Sequence, residues 1–418
     1  MTFYALVALI AAIASFAVGV AVLTLSHRFK LYPGIRDRDV HTRPTPRLGG
    51  IGIVLGVAVA LAVASQISWF ERVFDDPFPV LAIVAAALVM LGVGVADDLW
   101  DLDWMTKLAS QILIAGFLAW ASLQIVSLPV GPENGITVLS PTLSLIVTVL
   151  AIVLVMNAVN FIDGLDGLVA GVTLIAGGVF FIYSYILSIS TGQSAFNLAS
   201  LTMAVLLGAT AGFLPLNWHP AKMFMGDGGA LVVGMLMAIS TITVTSQINP
   251  SSIDRSQLLP AFIPLLLPFA VLIVPLLDFG LAVLRRLRAG KSPFSADRLH
   301  LHHRLLDMGH SHFHAVLIFY GWTAVVAVGT LLFMFVSWGW ALTAVVLGLI
   351  ACTVVTLAPI SRRKRVEAAA QSSHDADGRL ARFDPLDAAA PPIDDELEPD
   401  DVLFDTLTRA RRHQEELR

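Results

Sequence analysis

Cysteine and charge are both scarce in this chain. Cys352 is the single cysteine among 418 residues, so an intrachain disulfide and a thiolate metal cluster are excluded. Asp, Glu, Lys and Arg make up only 14% of the residues, whereas 56% are hydrophobic and the mean hydropathy is +0.79. This balance excludes an ordinary soluble enzyme of this length and predicts a polytopic membrane protein.

The N-terminus lacks the basic segment that precedes the apolar part of a cleaved signal peptide. Its first apolar run, over residues 3–25, is also too long for such a peptide. We therefore expect this run to be the first membrane span and to be retained.

Apolar runs long enough to cross a bilayer as helices recur along the first 360 residues. They predict an all-α fold with about eleven transmembrane helices. The predicted spans are 3–25, 49–67, 80–96, 108–127, 141–158, 167–188, 197–215, 228–246, 258–284, 314–336 and 339–358.

Basic residues are distributed unevenly over the predicted loops. Six Lys or Arg lie in 26–48, six in 285–304 and four in 361–365, whereas the five alternate loops contain only Arg72 and Arg255. Because Lys and Arg accumulate in cytoplasmic loops, this bias predicts an N-terminus outside and a C-terminus in the cytoplasm.

The last part of the chain differs in composition from the rest. Residues 366–418 contain fourteen Asp or Glu but six Lys or Arg, and they are rich in Ala and Pro. Such a segment buries too little apolar surface to offset its ordering entropy. We predict two domains: a multi-span membrane domain over 1–360 and an acidic, disordered cytoplasmic tail over 361–418.

The densest polar motif, MNAVNFIDGLDGL, follows an apolar run directly. Its four polar side chains are spaced at intervals of three, so a continuous helix would crowd them on one face. Carboxylates and amides in that arrangement can hold a divalent cation or a phosphorylated ligand. A capped helix end with a glycine turn is the simpler alternative. The four residues are Asn157, Asn160, Asp163 and Asp166.

Two further acidic motifs lie at predicted helix ends. Asp97 and Asp98 are adjacent where the third span ends, and Lys107 follows within pairing distance along the chain. Adjacent carboxylates repel, so the pair indicates a bound cation or proton, with a solvated acidic loop as the alternative. Asp227 lies among the glycines of FMGDGG, where it could ligate a metal beside a phosphate or cap a helix.

A histidine-rich loop, HLHHR, is the main candidate for anion binding. Imidazole and guanidinium groups in one loop can stabilise a diphosphate and its developing charge. A zinc site is less favoured because no Cys is near and the spacing lacks the carboxylate of a helical zinc motif; a surface loop that happens to be His-rich is the remaining alternative. The residues concerned are His300, His302, His303, Arg298 and Arg304.

A second basic segment, containing His41 and Arg47, precedes the glycine pair of the second predicted span. It could bind a lipid phosphate, although anchoring by the positive-inside rule explains the arginine equally well. This segment and all the motifs above fall on the predicted cytoplasmic side. We therefore predict a single active site facing the cytoplasm.

Taken in order, PRLGG, ADDLWDL, NAVNFIDGLDG, FMGDGG and HLHHRLL resemble the motifs of the polyprenyl-phosphate N-acetylhexosamine-1-phosphate transferases, over about residues 1–360. The muramyl-pentapeptide branch of this family has a triple His and a DDxxK motif, where this chain has HxHH and DLWDL. In these two motifs the chain resembles the branch that uses UDP-GlcNAc. The resemblance implies transfer of GlcNAc-1-phosphate from UDP-GlcNAc to a polyprenyl phosphate, with release of UMP. It also implies Mg²⁺ as the cofactor, with Mn²⁺ as an alternative.

The resemblance implies a role for each motif residue. Asp227 matches the direct metal ligand, and Asp97 and Asp98 match aspartates tied to the metal and to activation of the lipid phosphate. The other implied catalytic residues are Asp163, Asp166, His300, His302 and His303. The implied substrate-binding residues are Asn157, Asn160, Arg47, His41, Lys107, Arg298 and Arg304.

The implied setting is a bacterial inner membrane, with the polyprenyl phosphate lipid as partner, a homodimer as a candidate assembly and no nucleic acid. The carrier is undecaprenyl or decaprenyl phosphate; 21 Arg against 5 Lys favours a high-GC actinobacterium and hence decaprenyl phosphate. The alternatives are a phospho-MurNAc-pentapeptide transferase, a metal-dependent lipid pyrophosphate hydrolase and an ion-coupled transporter. Transporter sites usually lie at mid-membrane, unlike these motifs.

Overall fold

The computed structural model describes residues 1–31, 45–128, 137–191, 197–246 and 310–357, together with residues 284, 285, 287, 288, 290 and 305. These residues all belong to one unit of the chain, Met1–Pro359. The predicted span 258–284, apart from its last residue, and the predicted tail 361–418 lie outside the described residues.

The described chain consists of helices and one short antiparallel hairpin, β1 (Ser127–Leu128) with β2 (Thr137–Val138), in which Ser127 faces Val138. A 3-10 turn, Ser68–Phe70, precedes the short helix α3. The helices are α1 (Thr2–Phe29), α2 (Gly49–Ala64), α3 (Glu71–Phe74), α4 (Phe78–Trp100), α5 (Trp104–Trp120), α6 (Pro141–Ile162), α7 (Leu168–Thr191), α8 (Asn197–Asn217), α9 (Gly226–Ser246), α10 (His312–Leu332) and α11 (Trp338–Leu357).

Eight of these helices are long and apolar enough to cross a membrane: α1, α4 and α6 to α11. Helix α2 and the short helical segment after it are bent by 93° and would make a ninth span if taken together. The prediction of an all-α polytopic membrane protein is confirmed. The number of spans and the side on which each terminus lies stay predictions.

Several helices extend into the polar motifs, beyond the ends of the apolar runs. Helix α4 continues through Asp97 and Asp98, and α6 continues through Asn160. Helix α5 begins at Trp104, where the Asp103 carboxylate accepts a hydrogen bond of 2.7 Å from the Thr106 amide. Polar residues can remain in a helix when side chains of neighbouring helices bond to them. Hydropathy alone therefore places the ends of α4 and α6 too early.

The end of α6 corrects one prediction. The helix stops at Ile162, so Asp163 and Asp166 lie in the turn beyond it. They do not share one helical face with Asn157 and Asn160. The glycines of the turn, among them Gly167 with φ of +74°, allow the chain to change direction there.

Helix α9 is the centre of the fold, because it packs against α2, α4, α6 and α8 and is almost wholly buried. Its hydroxyl side chains return their hydrogen bonds to carbonyls of the preceding turn; Ser240 and Thr243, for example, bond to Leu236 and Ile239 at 2.8 Å. The hydroxyl donors of Ser240 and Thr243 are therefore satisfied within α9 itself.

Glycines bring the start of α9 into backbone contact with two neighbouring helices. A methyl group on Gly94 of α4 would lie 2.1 Å from the Gly228 Cα, and one on Gly50 of α2 would lie 2.4 Å from the Gly229 nitrogen. Only residues without a side chain permit so close an approach. The contact fixes the first turn of α9, which carries Asp227, against the end of α4, which carries two further aspartates.

Candidate active site

Five of the predicted site residues meet where four helices end or begin. Asp97 and Asp98 come from the last turn of α4, Lys107 from the first turn of α5, Asn160 from the end of α6 and Asp227 from the first turn of α9. Hydrogen bonds and ion pairs join all five. We call this group the aspartate cluster.

Asp227 is the centre of the aspartate cluster. Its Oδ1 accepts a hydrogen bond of 3.1 Å from the Asn160 side-chain amide, and its Oδ2 lies 3.2 Å from the Lys107 Nζ. Its backbone amide donates to Asp98 Oδ2 at 3.0 Å. The carboxylate therefore bonds to neighbouring helices, and the alternative of a simple helix cap does not describe its contacts.

Lys107 also pairs with the Asp97 carboxylate, so its ammonium lies between two aspartates from different helices. The Asp97 and Asp98 side chains are buried, whereas those of Lys107 and Asp227 are 29% and 33% exposed. A ligand arriving from solvent would therefore meet Lys107 and Asp227 first.

The donor atoms of the aspartate cluster fit a small divalent cation. Carboxylate oxygens are the ligands that Mg²⁺ and Mn²⁺ prefer. Within the described residues, Asp97 Oδ1 is buried and has no hydrogen-bond partner. The carboxyl groups of Asp97 and Asp227 both act repulsively on that of Asp98, and a bound cation would relieve this repulsion. Asp227, Asp98 and Asp97 are the residues that could hold the ion.

The segment before α2 positions the aspartate cluster through its backbone. Phe224 N–H donates to the Pro46 carbonyl at 2.9 Å, and the amides of Gly49 and Gly50 donate to Phe224 and Met225 at 3.0 and 2.9 Å. A methyl group on Gly226 would overlap the Arg47 carbonyl. Backbone hydrogen bonds therefore join the PRLGG and FMGDGG motifs beside the site.

Asp163 lies in the turn after α6, near the aspartate cluster. Burial raises the pKa of its carboxyl from 3.8 to about 7, and repulsion from Asp227 adds to the rise while Arg47 opposes it. Its proton is therefore gained and lost close to neutral pH.

The raised pKa of Asp163 predicts a pH-dependent stability. Between about pH 4 and pH 7 the folded protein holds a proton that the unfolded chain has lost, so stability falls as pH rises through this range and is level above it. Asp163→Asn should flatten this fall. The measurement is the Tm in detergent and EDTA from pH 5 to pH 8; parallel curves for the two proteins would contradict the assignment.

Asp166 belongs to a second group of side chains. Its Oδ2 lies 2.7 Å from His219 Nδ1 and accepts a hydrogen bond of 3.1 Å from the Ala221 amide. Its own backbone amide donates to His312 Nε2 at 3.1 Å. The contacts of Asp166 therefore separate it from the aspartate cluster, although Asn160 of that cluster belongs to the same sequence motif.

Three residues that the sequence analysis did not single out hold the turn containing Gly167. The Gly167 amide donates to Asn217 Oδ1 at 3.0 Å, and its carbonyl accepts from the Tyr320 hydroxyl at 2.6 Å. Asn217 in turn donates to the Met223 carbonyl at 3.0 Å. A local signal for Asn217 is present, because polar residues and a proline follow it at the end of an apolar run. Tyr320 and His312 come from a helix about 150 residues away along the chain, so their contacts could not be predicted from local sequence.

Asn157 lies one turn before Asn160 and has a different partner. Its side-chain amide donates to Gln111 Oε1 at 2.6 Å and to the Val153 carbonyl at 2.8 Å. Gln111 was not predicted, but it is four residues from Lys107 and so lies on the same face of α5. Gln111 and Asn157 therefore join α5 and α6 directly, while Lys107 and Asn160, one turn away on the same helices, both contact Asp227.

The remaining predicted site residues fall outside the described part of the chain, and their roles stay predictions. They are His41, Arg298, His300, His302, His303 and Arg304.

Comparison with known sequences gives consistent matches. The profile of Glycosyl transferase family 4 matches residues 80–245. The decaprenyl-phosphate N-acetylglucosaminephosphotransferase of Mycobacterium leprae is 41% identical over 370 residues, covering 86% of this chain and 91% of the relative.

Two further relatives are more distant. A probable undecaprenyl-phosphate N-acetylglucosaminyl 1-phosphate transferase of Bacillus subtilis is 33% identical over 68% of this chain and 72% of its own length. The phospho-N-acetylmuramoyl-pentapeptide-transferase of Anoxybacillus flavithermus is 31% identical over 66% of this chain and 79% of its own length.

Proposed function

Because the chain belongs to glycosyl transferase family 4, we propose that it transfers GlcNAc-1-phosphate from UDP-GlcNAc to a membrane polyprenyl phosphate, giving polyprenyl-diphosphate-GlcNAc and UMP. The observation that carries this proposal is the similarity over nearly the whole length of the mycobacterial relative. Identity to the muramyl-pentapeptide relative is lower and covers less of the chain, which favours GlcNAc as the sugar.

The proposed reaction is a single displacement at phosphorus. An oxygen of the lipid phosphate attacks the β-phosphorus of UDP-GlcNAc, and the bond from that phosphorus to the bridging oxygen breaks, so UMP leaves with the electron pair. A phosphate monoester has its second pKa near 6 and is mostly dianionic at neutral pH. The nucleophile therefore needs little help from a base, which favours direct attack over a route through a phosphorylated Asp.

The residues of the aspartate cluster have distinct proposed roles. Asp227, Asp98 and Asp97 would hold Mg²⁺, which when bound neutralises charge on the donor diphosphate. Asn160 fixes the orientation of Asp227 through its hydrogen bond. Lys107 lies at the exposed side and would contact the diphosphate. The predicted phosphate contacts of the HLHHR loop complete the proposal.

We also propose that this site faces the cytoplasm of a bacterial inner membrane. Hydrogen bonds and ion pairs join the N-terminal ends of α5 and α9 to the C-terminal ends of α4 and α6, so these ends lie together at one side of the helices. Arg47, from a basic loop predicted to be cytoplasmic, acts electrostatically on Asp98 at these helix ends. UDP-sugars are cytoplasmic metabolites, which agrees with this orientation.

Lys107→Met should lower transfer about 10- to 100-fold, because one charge-assisted contact to the diphosphate is lost. It should also lower the Mg²⁺ concentration needed for half-maximal rate, since the ammonium no longer competes for Asp97 and Asp227. Initial rates across a Mg²⁺ titration test both effects. Lys222→Met, at an exposed position, is the matched control; equal rates in the two variants would count against the role.

The experiment that tests the function is transfer of radiolabelled sugar phosphate to decaprenyl phosphate in detergent. Label from UDP-GlcNAc should appear in the lipid with Mg²⁺ and not with EDTA. Label from UDP-MurNAc-pentapeptide alone would assign the chain to the muramyl branch. Release of inorganic phosphate without sugar transfer would indicate a hydrolase, and no product from any donor would refute the proposal.

A further inference from the structure

Two histidines and an aspartate from three distant segments meet beside the aspartate cluster. Asp166 lies in the turn after α6, His219 in the segment between α8 and α9, and His312 at the start of α10. One potential ligand atom from each side chain lies within 4.8 Å of the other two. We call this group the histidine–aspartate trio.

The chemistry of the trio differs from that of the aspartate cluster. Imidazole nitrogen together with one carboxylate oxygen is a donor set that suits Zn²⁺ and other borderline transition metals, whereas Mg²⁺ prefers oxygen alone. The two groups should therefore select different ions.

The geometry of the trio also suits one shared ion. The imidazole rings of His219 and His312 lie nearly parallel, at 18°, with their centroids 4.8 Å apart. A nitrogen of each ring and a carboxylate oxygen of Asp166 therefore lie close enough together to bind the same ion.

Access to the trio is from one side. The Asp166 side chain is buried, at 2% exposed, while that of His219 is 46% exposed. An ion can therefore approach from solvent through His219 and be held by a carboxylate that is already ordered by the Ala221 amide. An ordered partner of this kind is what orients ligands at metal sites.

We propose that Asp166, His219 and His312 form a binding site for a divalent transition metal, with Zn²⁺ as the expected ion and water completing its coordination. A bound metal would take the place of the contact between His219 Nδ1 and Asp166 Oδ2 and of the hydrogen bond that His312 Nε2 accepts from the Asp166 amide. The bound ion would clamp three segments together. The proposal does not rest on the proposed transferase activity.

The test uses the full-length protein in detergent, freed of metal with EDTA and then dialysed. Titration with Zn²⁺ by calorimetry, and with Co²⁺ by visible absorption, should show one ion per chain that raises the Tm. His219→Gln and His312→Gln should each weaken binding at least about tenfold. His314→Gln, on the same helix but exposed, is the matched control and should bind as the wild type does.

Other histidines could bind zinc, so the location needs its own measurement. In the wild-type protein, Zn²⁺ should protect His219 from modification by diethyl pyrocarbonate, as mapped by mass spectrometry, while His314 stays reactive. This readout needs no variant to fold. No ion bound at sub-millimolar concentration, binding unchanged in both trio variants, or no protection of His219 would each overturn the proposal.

Discussion

Asp227→Asn should abolish sugar-phosphate transfer while leaving the protein folded. Both oxygens of the Asp227 carboxylate accept, one from the Asn160 amide and the other from the Lys107 ammonium. An asparagine offers one oxygen and one NH₂ group, so its NH₂ group would face either the Asn160 amide or the Lys107 ammonium, which are both donors. The substitution also removes a negative charge from the centre of the group proposed to hold Mg²⁺.

We expect the rate to fall by at least about a hundredfold, the order found when a preorganised electrostatic contact is removed from an active site. The assay is the radiolabelled transfer described above, with the Tm measured in parallel. Asp103→Asn makes the same chemical change at an exposed helix cap close by in the chain and should keep most of the activity. Near-normal transfer by Asp227→Asn at saturating Mg²⁺ would remove Asp227 from the proposed site.

Gly94→Ala should have the second large effect, on folding and activity together. The added methyl group would lie 2.1 Å from the Gly228 Cα, which is backbone and cannot rotate away. Helices α4 and α9 would have to separate by more than an ångström. Overpacking of this kind costs about 1–3 kcal/mol or more, and here it would also move Asp227 away from Asp97 and Asp98.

Gly92→Ala is a closely matched control, because it makes the same change two residues earlier on α4 where no atom lies within 4 Å. It should leave the Tm unchanged or slightly raised, since alanine favours a helix more than glycine does. The Tm in detergent and the transfer rate test both variants. If the two variants behaved alike, the close contact between α4 and α9 would not determine the position of the site.

Local sequence was sufficient to predict the apolar helices and to single out all five residues of the aspartate cluster. Membrane helices follow from length and hydropathy, which are local properties, and carboxylates or amides at their ends require partners. The helix ends were less predictable. Asp97 and Asp98 remain helical because Lys107 and the Asp227 amide satisfy them, and these partners come from other helices.

The spacing of the NAVNFIDGLDG motif was misleading for a related reason. Intervals of three suggested one helical face, but the helix ends at Ile162 and the last aspartate turns towards His219 and His312. Gly228 and Gly229 beside Asp227 contact other helices through their backbone, and a phosphate beside this turn stays a prediction. Contacts between distant segments leave no periodic signal in the sequence.

The position of Lys107 has a consequence for how the donor reaches its site. Three bare carboxylates would repel a dianionic diphosphate, but the ammonium between Asp97 and Asp227, together with Arg47, cancels most of their field at long range. Among the described residues, the aspartate cluster together with Arg47 is therefore close to electrostatic balance before any ion binds. These residues should accordingly contribute little to the way in which association of the sugar nucleotide depends on ionic strength.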